Sequence, residues 1–231
     1  MGEEHLDVAA SLNQIGDILS YVGDSAGAEP LFRRALAIYR QLLGDGHPLV
    51  AMAAGNLGRT LHKLGDLAGA EVLLRKGLEI RRRFDPEDPQ LAYNARNLGL
   101  LLCDRGDYAG AEPPLREAVI TFDRCHYYSG DDCIARIGLG DALAHLDRFA
   151  EAEAVLIDAD ARLPAIQHDR NAVVQASSSI PLLRWRAMSL LADLYDRWDA
   201  AEPGQGHDQQ AAQWRAKLAE WQASTQPASP P

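Results

Sequence analysis

Cysteine is scarce in this chain of 231 residues, which contains three, an odd number. A disulfide framework is excluded, because such frameworks use a larger and even set of cysteines in short secreted chains. Phenylalanine is also scarce, with four residues, although hydrophobic residues make up 47% of the chain. This composition is typical of helix-rich proteins that pack on leucine and alanine. The sparse cysteines indicate a reducing compartment, so we expect a cytoplasmic protein.

Long apolar runs and excess positive charge are absent as well. No stretch of about 18 apolar residues occurs, so the sequence predicts no membrane span. Residues 1–7 are acidic and lack the basic and apolar regions of a secretory signal. The net charge of −10 would repel nucleic-acid phosphates, so we expect no nucleic-acid partner.

A short sequence motif that ends in glycine, here called the frame, recurs at a nearly constant interval. Intervals of 42, 41 and 41 residues separate Gly16, Gly58, Gly99 and Gly140. The first three copies continue with Gly-Asp and then Ala-Gly-Ala-Glu, whereas the fourth continues with Asp147-Arg148 and Ala-Glu-Ala-Glu. A fixed period of this length predicts stacked structural units instead of one globular core.

Each repeat is predicted to form a helix hairpin, because two segments of helical length with helical apolar periodicity flank the Gly-Asp pair. The glycine suits a left-handed turn at the end of the first helix, and the aspartate suits the N-cap of the second. The pairs are Gly23-Asp24, Gly65-Asp66 and Gly106-Asp107. Small residues recur in three columns, which predicts close helix crossings. The columns hold Gly16, Gly58, Gly99 and Gly140; Ala28, Ala70, Ala111 and Ala152; and Ala35, Gly77, Ala118 and Ala159.

This frame resembles the tetratricopeptide repeat, in the longer-period form seen in kinesin light chain and in many bacterial repeat proteins. The resemblance is carried by elements such as Asn56-Leu57-Gly58, Gly65-Asp66 and Ala70-Glu71, which recur in register. It implies an all-α, right-handed α-solenoid of antiparallel helix hairpins, with about four repeats and a C-terminal helical cap. The expected repeats are about 6–46, 47–88, 89–130 and 131–163.

The period fails after residue 163, where Leu163-Pro164 is expected to end a helix. We expect an irregular linker at 164–180, a degenerate fifth hairpin at 181–221 and a disordered tail at 222–231. All four tryptophans, Trp185, Trp198, Trp214 and Trp221, lie in the fifth hairpin, which predicts a cap with its own small core. Segments 191–198 and 212–216 resemble the repeat tails of bacterial serine/threonine kinases.

The resemblance also implies where a ligand binds. In the tetratricopeptide family, the first helix of each hairpin lines a concave surface that holds peptides. The predicted groove residues are Asn13, Gln14, Asp17, Asn56, Arg59, Lys63, Arg96, Asn97 and Asp104. Asn56 and Asn97 match the family position whose amide grips a peptide backbone or a terminal carboxylate. An amide suits this role because it both donates and accepts.

The groove centre is predicted to be basic within an acidic protein. Arg59 and Lys63 are one turn apart and project from the same helix face, and Arg96 follows in the next repeat. This set predicts attraction for an acidic segment or a C-terminal carboxylate, with Asp17 and Asp104 at the flanks. The alternative is a surface ion pair between Arg59 and Asp104 or Asp17, which would signify little.

Catalytic and metal-binding patterns are weak. The spacing of Cys125, His126 and Cys133 fits no compact zinc pattern. The glycines stand at helix crossings and helix ends, not in a phosphate-binding loop after a strand. We therefore expect no enzyme activity, no metal and no cofactor.

The sequence favours a scaffold that binds a peptide segment of a partner protein. Two alternatives stay open. The chain could be the regulatory or sensor portion of a larger bacterial signalling protein, since its first helix begins almost at once, near Leu6. It could also be a homo-oligomeric module that associates through its N-terminal edge or its tryptophan-rich end.

Overall fold

The computed structural model describes residues 5–84, 88–126, 130–168 and 180–225, and within these ranges all regular structure is helical. The helices are α1 (Leu6–Tyr21), α2 (Ser25–Leu43), α3 (Pro48–Lys63), α4 (Leu67–Phe84), α5 (Pro89–Asp104), α6 (Tyr108–Arg124), α7 (Gly130–His145), α8 (Phe149–His168), α9 (Ile180–Ala201) and α10 (His207–Thr225). The predicted all-α fold of antiparallel helix hairpins is confirmed.

The chain forms two compact units. Unit 1 contains residues 1–107 and 120–126, and unit 2 contains residues 108–119 and 127–231, so the division passes through α6. In unit 1, α1 packs on α2, α3 packs on both α2 and α4, and α5 packs on α4. In unit 2, α8 packs on both α7 and α9, α9 also contacts α7, and α10 packs on α9.

Glycine lets the two helices of a hairpin cross closely. A Cβ atom at Gly16 would lie 2.8 Å from the Phe32 ring, and one at Gly58 would lie 2.8 Å from Leu74 Cγ. The equivalent position in unit 2, Gly140, would place a Cβ 2.5 Å from Leu156 Cγ. Each of these facing side chains is fully buried. The predicted role of the first glycine column at the helix crossing is therefore confirmed for these positions.

The turns and caps follow the sequence pattern. Gly23, Gly65 and Gly106 adopt positive φ angles of 89°, 87° and 75°, and the fourth repeat places Asp147 in the same region with φ 57°. The Asp24 carboxylate accepts a hydrogen bond from the Gly27 amide at 2.8 Å, which caps α2. Asp66 caps α4 in the same way through the Gly69 amide at 2.9 Å.

Helix ends differ from the expectation at two places. The expected helix end at Leu163-Pro164 is wrong, because α8 continues to His168. A proline removes one backbone donor but leaves the following residues able to remain helical, and Pro30 and Pro113 also lie inside helices. Of the predicted linker at 164–180, residues 164–168 and 180 are helical, and the rest lies outside the described residues.

The predicted disordered tail at 222–231 also differs from the structure at its start. The helix α10 extends to Thr225, so residues 222–225 are helical, and the remaining residues of the predicted disordered tail lie outside the described part. No glycine or proline interrupts residues 222–225, and the first proline of the tail is Pro227.

Unit 2 contains an apolar cluster that joins three of its helices. Cys133 and Ile137 of α7, Leu163 of α8 and Ile180 and Leu183 of α9 are its main buried members. Within the tryptophan-rich hairpin, Trp198 stacks on His207 with ring centroids 4.2 Å apart. The hairpin formed by α9 and α10 is therefore continuous with the core of the repeat before it.

Candidate functional site

The first helices of the hairpins in unit 1 are neighbours, because α1 contacts α3 and α3 contacts α5. The predicted groove residues lie on these three helices. We call this set the odd-helix face, and it consists of Asn13, Gln14, Asp17, Asn56, Arg59, Lys63, Arg96, Asn97 and Asp104.

A polar cluster joins α1 to α3 around the Asp17 carboxylate. The Asn13 Nδ2 group donates to Asp17 at 3.1 Å, and the Asn56 Nδ2 group donates to Asp17 at 3.2 Å and to Asn13 Oδ1 at 3.2 Å. The Arg59 guanidinium lies 3.9 Å from the same carboxylate. Of the two pairings weighed for Arg59, the structure shows the one with Asp17.

Lys63 adds a second cation beside Arg59. Its side chain is exposed at the end of α3, and no carboxylate in the described part of the chain forms an ion pair with it. Partial burial lowers the pKa of the Lys63 ammonium, and the neighbouring Arg59 cation lowers that pKa further. The two positive charges therefore repel each other, and a bound anion would relieve this repulsion.

Arg96 and Asn97 form a separate pair on α5. The Arg96 side chain is buried and lies over the Tyr93 ring, with Cζ 5.3 Å from the ring centroid. It donates to Asn97 Oδ1 from Nη2 at 2.9 Å and from Nε at 3.3 Å. These contacts use the oxygen of the Asn97 amide, so its Nδ2 donor is not consumed by the pair.

Asp104 meets a partner that the sequence did not suggest. His62 Nε2 of α3 lies 2.7 Å from the Asp104 carboxylate of α5. Gln14, the remaining member of the face, is exposed on α1. The face therefore presents two inter-helix contacts, one at Asp17 and one at Asp104, with Lys63 exposed on the helix between them.

One buried polar contact was missed at the sequence level. The Asn94 side chain is buried and donates to the backbone carbonyl of Ala51 at 3.5 Å. A Cβ at Gly55 would lie 2.3 Å from Asn94 Oδ1, and a Cβ at Gly77 would lie 2.9 Å from Asn94 Nδ2. The signal was present in the columns, since Gly77 stands where the other repeats carry alanine.

The α1 helix exposes apolar residues on one side. Ile15 and Ile18 are 49% and 63% exposed, whereas their register equivalents in α3, Leu57 and Thr60, are 2% and 1% exposed. The predicted homo-oligomer through the N-terminal edge would use this side and stays a prediction. In the described part of the chain, no helix has the length and apolar character needed to cross a membrane.

A stack of helix hairpins with capped second helices and a polar face on the first helices defines a helical-repeat scaffold. Two family profiles described as tetratricopeptide repeat match residues 7–83 and 96–164, which together make up more than half of the chain. The chain belongs to the tetratricopeptide-repeat family, whose members serve as protein-interaction scaffolds. The resemblance of the last segment to kinase tails stays a prediction.

Three solved structures have a similar fold. The nearly identical TPR-like repeats of a Podosopora anserina kinesin light chain share 19% identity over 97% of this chain and 99% of theirs, with a TM-score of 0.70. BtubC (BKLC) from P. vanneervenii shares 20% identity over 98% of this chain and 85% of its own, with a TM-score of 0.74. A MamA RS-1 double mutant shares 18% identity over 99% of both chains, with a TM-score of 0.63. These identities establish the fold alone, and curated protein sequences gave no match.

Proposed function

We propose that this protein is a scaffold that binds a peptide segment of a partner protein on the odd-helix face of unit 1. The centre of that face favours an acidic side chain or a C-terminal carboxylate. One observation carries the proposal: Arg59 and Lys63 lie one turn apart in a partly desolvated setting, and Lys63 has no carboxylate partner among the described residues.

The amides of the face supply the complementary contacts. Asn97 keeps its Nδ2 donor outside its pair with Arg96, and the side-chain contacts of Asn56 with Asp17 and Asn13 use only its Nδ2 group. An Nδ2 donor can bind a peptide carbonyl or a carboxylate, and an Oδ1 acceptor can bind a peptide amide. A peptide that lies across α3 and α5 would meet both kinds of group next to the two cations.

A peptide library tests this proposal. An immobilised library of short randomised peptides is made with either free or amidated C-termini. The parent protein, Lys63→Glu and Lys76→Glu are each incubated with this library, and the peptides that each protein enriches are identified. Lys76 lies on α4, outside the odd-helix face, and its replacement changes the net charge by the same amount.

We expect the parent and Lys76→Glu to enrich peptides that carry Asp, Glu or a free C-terminus, and Lys63→Glu to lose this enrichment. Equal enrichment by all three proteins would place binding elsewhere, and no enrichment by the parent would overturn the proposed function.

A further inference from the structure

Asp17 occupies the place that a ligand carboxylate would take between α1 and α3. Its carboxylate accepts hydrogen bonds from Asn13 and Asn56 and lies 3.9 Å from the Arg59 guanidinium. Two amide donors and one cation around a carboxylate are the contacts expected for a bound acidic side chain or C-terminus. An acidic peptide that uses Asn56 and Arg59 must therefore compete with a group of the protein itself.

The Asp17 carboxylate is held in a way that permits its release. Its side chain is 47% exposed, so a change of rotamer can bring it into water without unpacking the helices. Partial burial raises the pKa of the Asp17 carboxyl, and the Arg59 guanidinium only opposes that rise. Desolvation therefore outweighs the attraction of Arg59, and the ionised carboxylate regains hydration when it leaves.

We propose that Asp17 is an internal competitor that determines which ligands the α1 end of the odd-helix face accepts. While Asp17 is in place, Asn56 and Arg59 are engaged and the open cation is Lys63. An acidic group that displaces Asp17 gains Asn56 and Arg59 together, and a neutral or basic segment binds without displacing it. This inference rests on the proposed function and adds a residue that sets its selectivity.

The experiment compares two aspartates on the same face. Asp17→Asn and Asp104→Asn remove the same charge, but only Asp17 contacts Arg59, whereas Asp104 lies against His62. Binding of the pooled acidic peptides, labelled with fluorescein, is measured by anisotropy for the parent, both variants, Arg59→Gln and the Asp17→Asn/Arg59→Gln double variant. Circular dichroism melts establish that each protein is folded, and Asp17→Ala serves as a second replacement.

We expect Asp17→Asn to bind the pooled peptides about tenfold more tightly, because the ligand no longer displaces a charge-assisted hydrogen bond. Asp104→Asn should improve binding by no more than about threefold, through the weaker field of the whole face. In the Arg59→Gln background, the gain from Asp17→Asn should shrink to the gain seen for Asp104→Asn.

Each result decides the question. Equal gains for the two aspartates, a gain that persists without Arg59, or weaker binding by Asp17→Asn would overturn the role of Asp17 and leave peptide binding standing. If none of the proteins binds the pooled peptides, the proposed function and this inference fail together.

Discussion

At the scale of single residues, Asp147 shows how the fourth repeat departs from the other three. It adopts a φ angle of 57° where the other repeats use glycine, and its carboxylate lies 3.5 Å from Arg197 in unit 2. A side chain in the left-handed region costs free energy that glycine avoids, although aspartate tolerates the region better than most residues. The exposed ion pair with Arg197 contributes little in return.

Asp147→Gly should therefore raise the free energy of unfolding by about 0.5–1 kcal/mol. Asp147→Ala is the matched control, because it also removes the contact with Arg197 but keeps a Cβ atom at positive φ. We expect this control to lower stability in the same urea titration. A stabilised alanine variant would show that removal of the aspartate side chain, and not the backbone conformation, determines the effect.

At the scale of helices, the crossing of α3 and α4 leaves no free space for a Cβ atom at Gly58. A Cβ there would lie 2.8 Å from Leu74 Cγ and 3.3 Å from the Ala70 carbonyl oxygen, and Leu74 is fully buried. Such overpacking typically costs 1–3 kcal/mol, and the better helix propensity of alanine offsets part of it.

Gly58→Ala should lower the free energy of unfolding by about 1–2 kcal/mol in urea denaturation. Gly46→Ala provides the control, since Gly46 has open space around its Cβ position and no positive φ. Its stability should change by less than about 0.5 kcal/mol. A neutral Gly58→Ala variant would mean that the two helices can shift apart without loss.

The sequence predicted features of the hairpins that depend on nearby residues. Turn glycines, N-caps and helix crossings involve residues within one hairpin, so a repeated pattern is enough to reveal them. Contacts between hairpins were harder to predict, because Asn56 meets Asn13 and Asp17 across about forty residues. Whether Arg59 would pair with Asp17 or Asp104 depended on helix rotation and rotamers, which the periodicity does not specify. The burial of Arg96 over Tyr93 likewise depends on packing that one column of residues does not show.

At the scale of the whole molecule, unit 2 carries groups that make the protein sensitive to alkali. Cys133 is fully buried, and burial raises the pKa of its thiol from 9.0 to about 12. The negative charge of the nearby Asp132 carboxylate acts in the same direction. Burial also raises the pKa of Tyr195, whose hydroxyl donates to Glu153, above its usual 10.0. All four tryptophans lie in unit 2, so their fluorescence reports on the unfolding of this unit.

The raised pKa of Cys133 fixes the sign of the pH dependence. Below pH 9.0 the thiol is protonated in both folded and unfolded chains, whereas from pH 9.0 to about 12 only the unfolded chain releases the proton. Because of this thiol, the free energy of unfolding should therefore fall by up to about 1.4 kcal/mol for each pH unit within that range.

Tryptophan-monitored urea titrations between pH 9.0 and 10.0 test this, and a comparison with Cys133→Ala separates the thiol from Tyr195, which begins to ionise in the unfolded chain over the same window. Cys133→Ala should show a smaller decline over this window than the parent, and Cys125→Ala, a half-buried control in unit 1, should decline as the parent does. Identical slopes for the parent and Cys133→Ala would contradict the assignment.

The position of the Asn94 side chain has a consequence for the order in which repeats can be joined. Asn94 packs against Ala51 and against Gly77, which has no side chain to displace it, and both residues belong to the second repeat. The residue equivalent to Gly77 in the first repeat is Ala35, whose methyl group would stand where the Asn94 amide needs room. Deletion of the second repeat would thus place the Ala35 methyl group against the Asn94 amide, so the surfaces of the first and third repeats would not fit each other. Asn94 and Gly77 are therefore a matched pair, and we expect a protein in which the third repeat directly follows the first to be less stable.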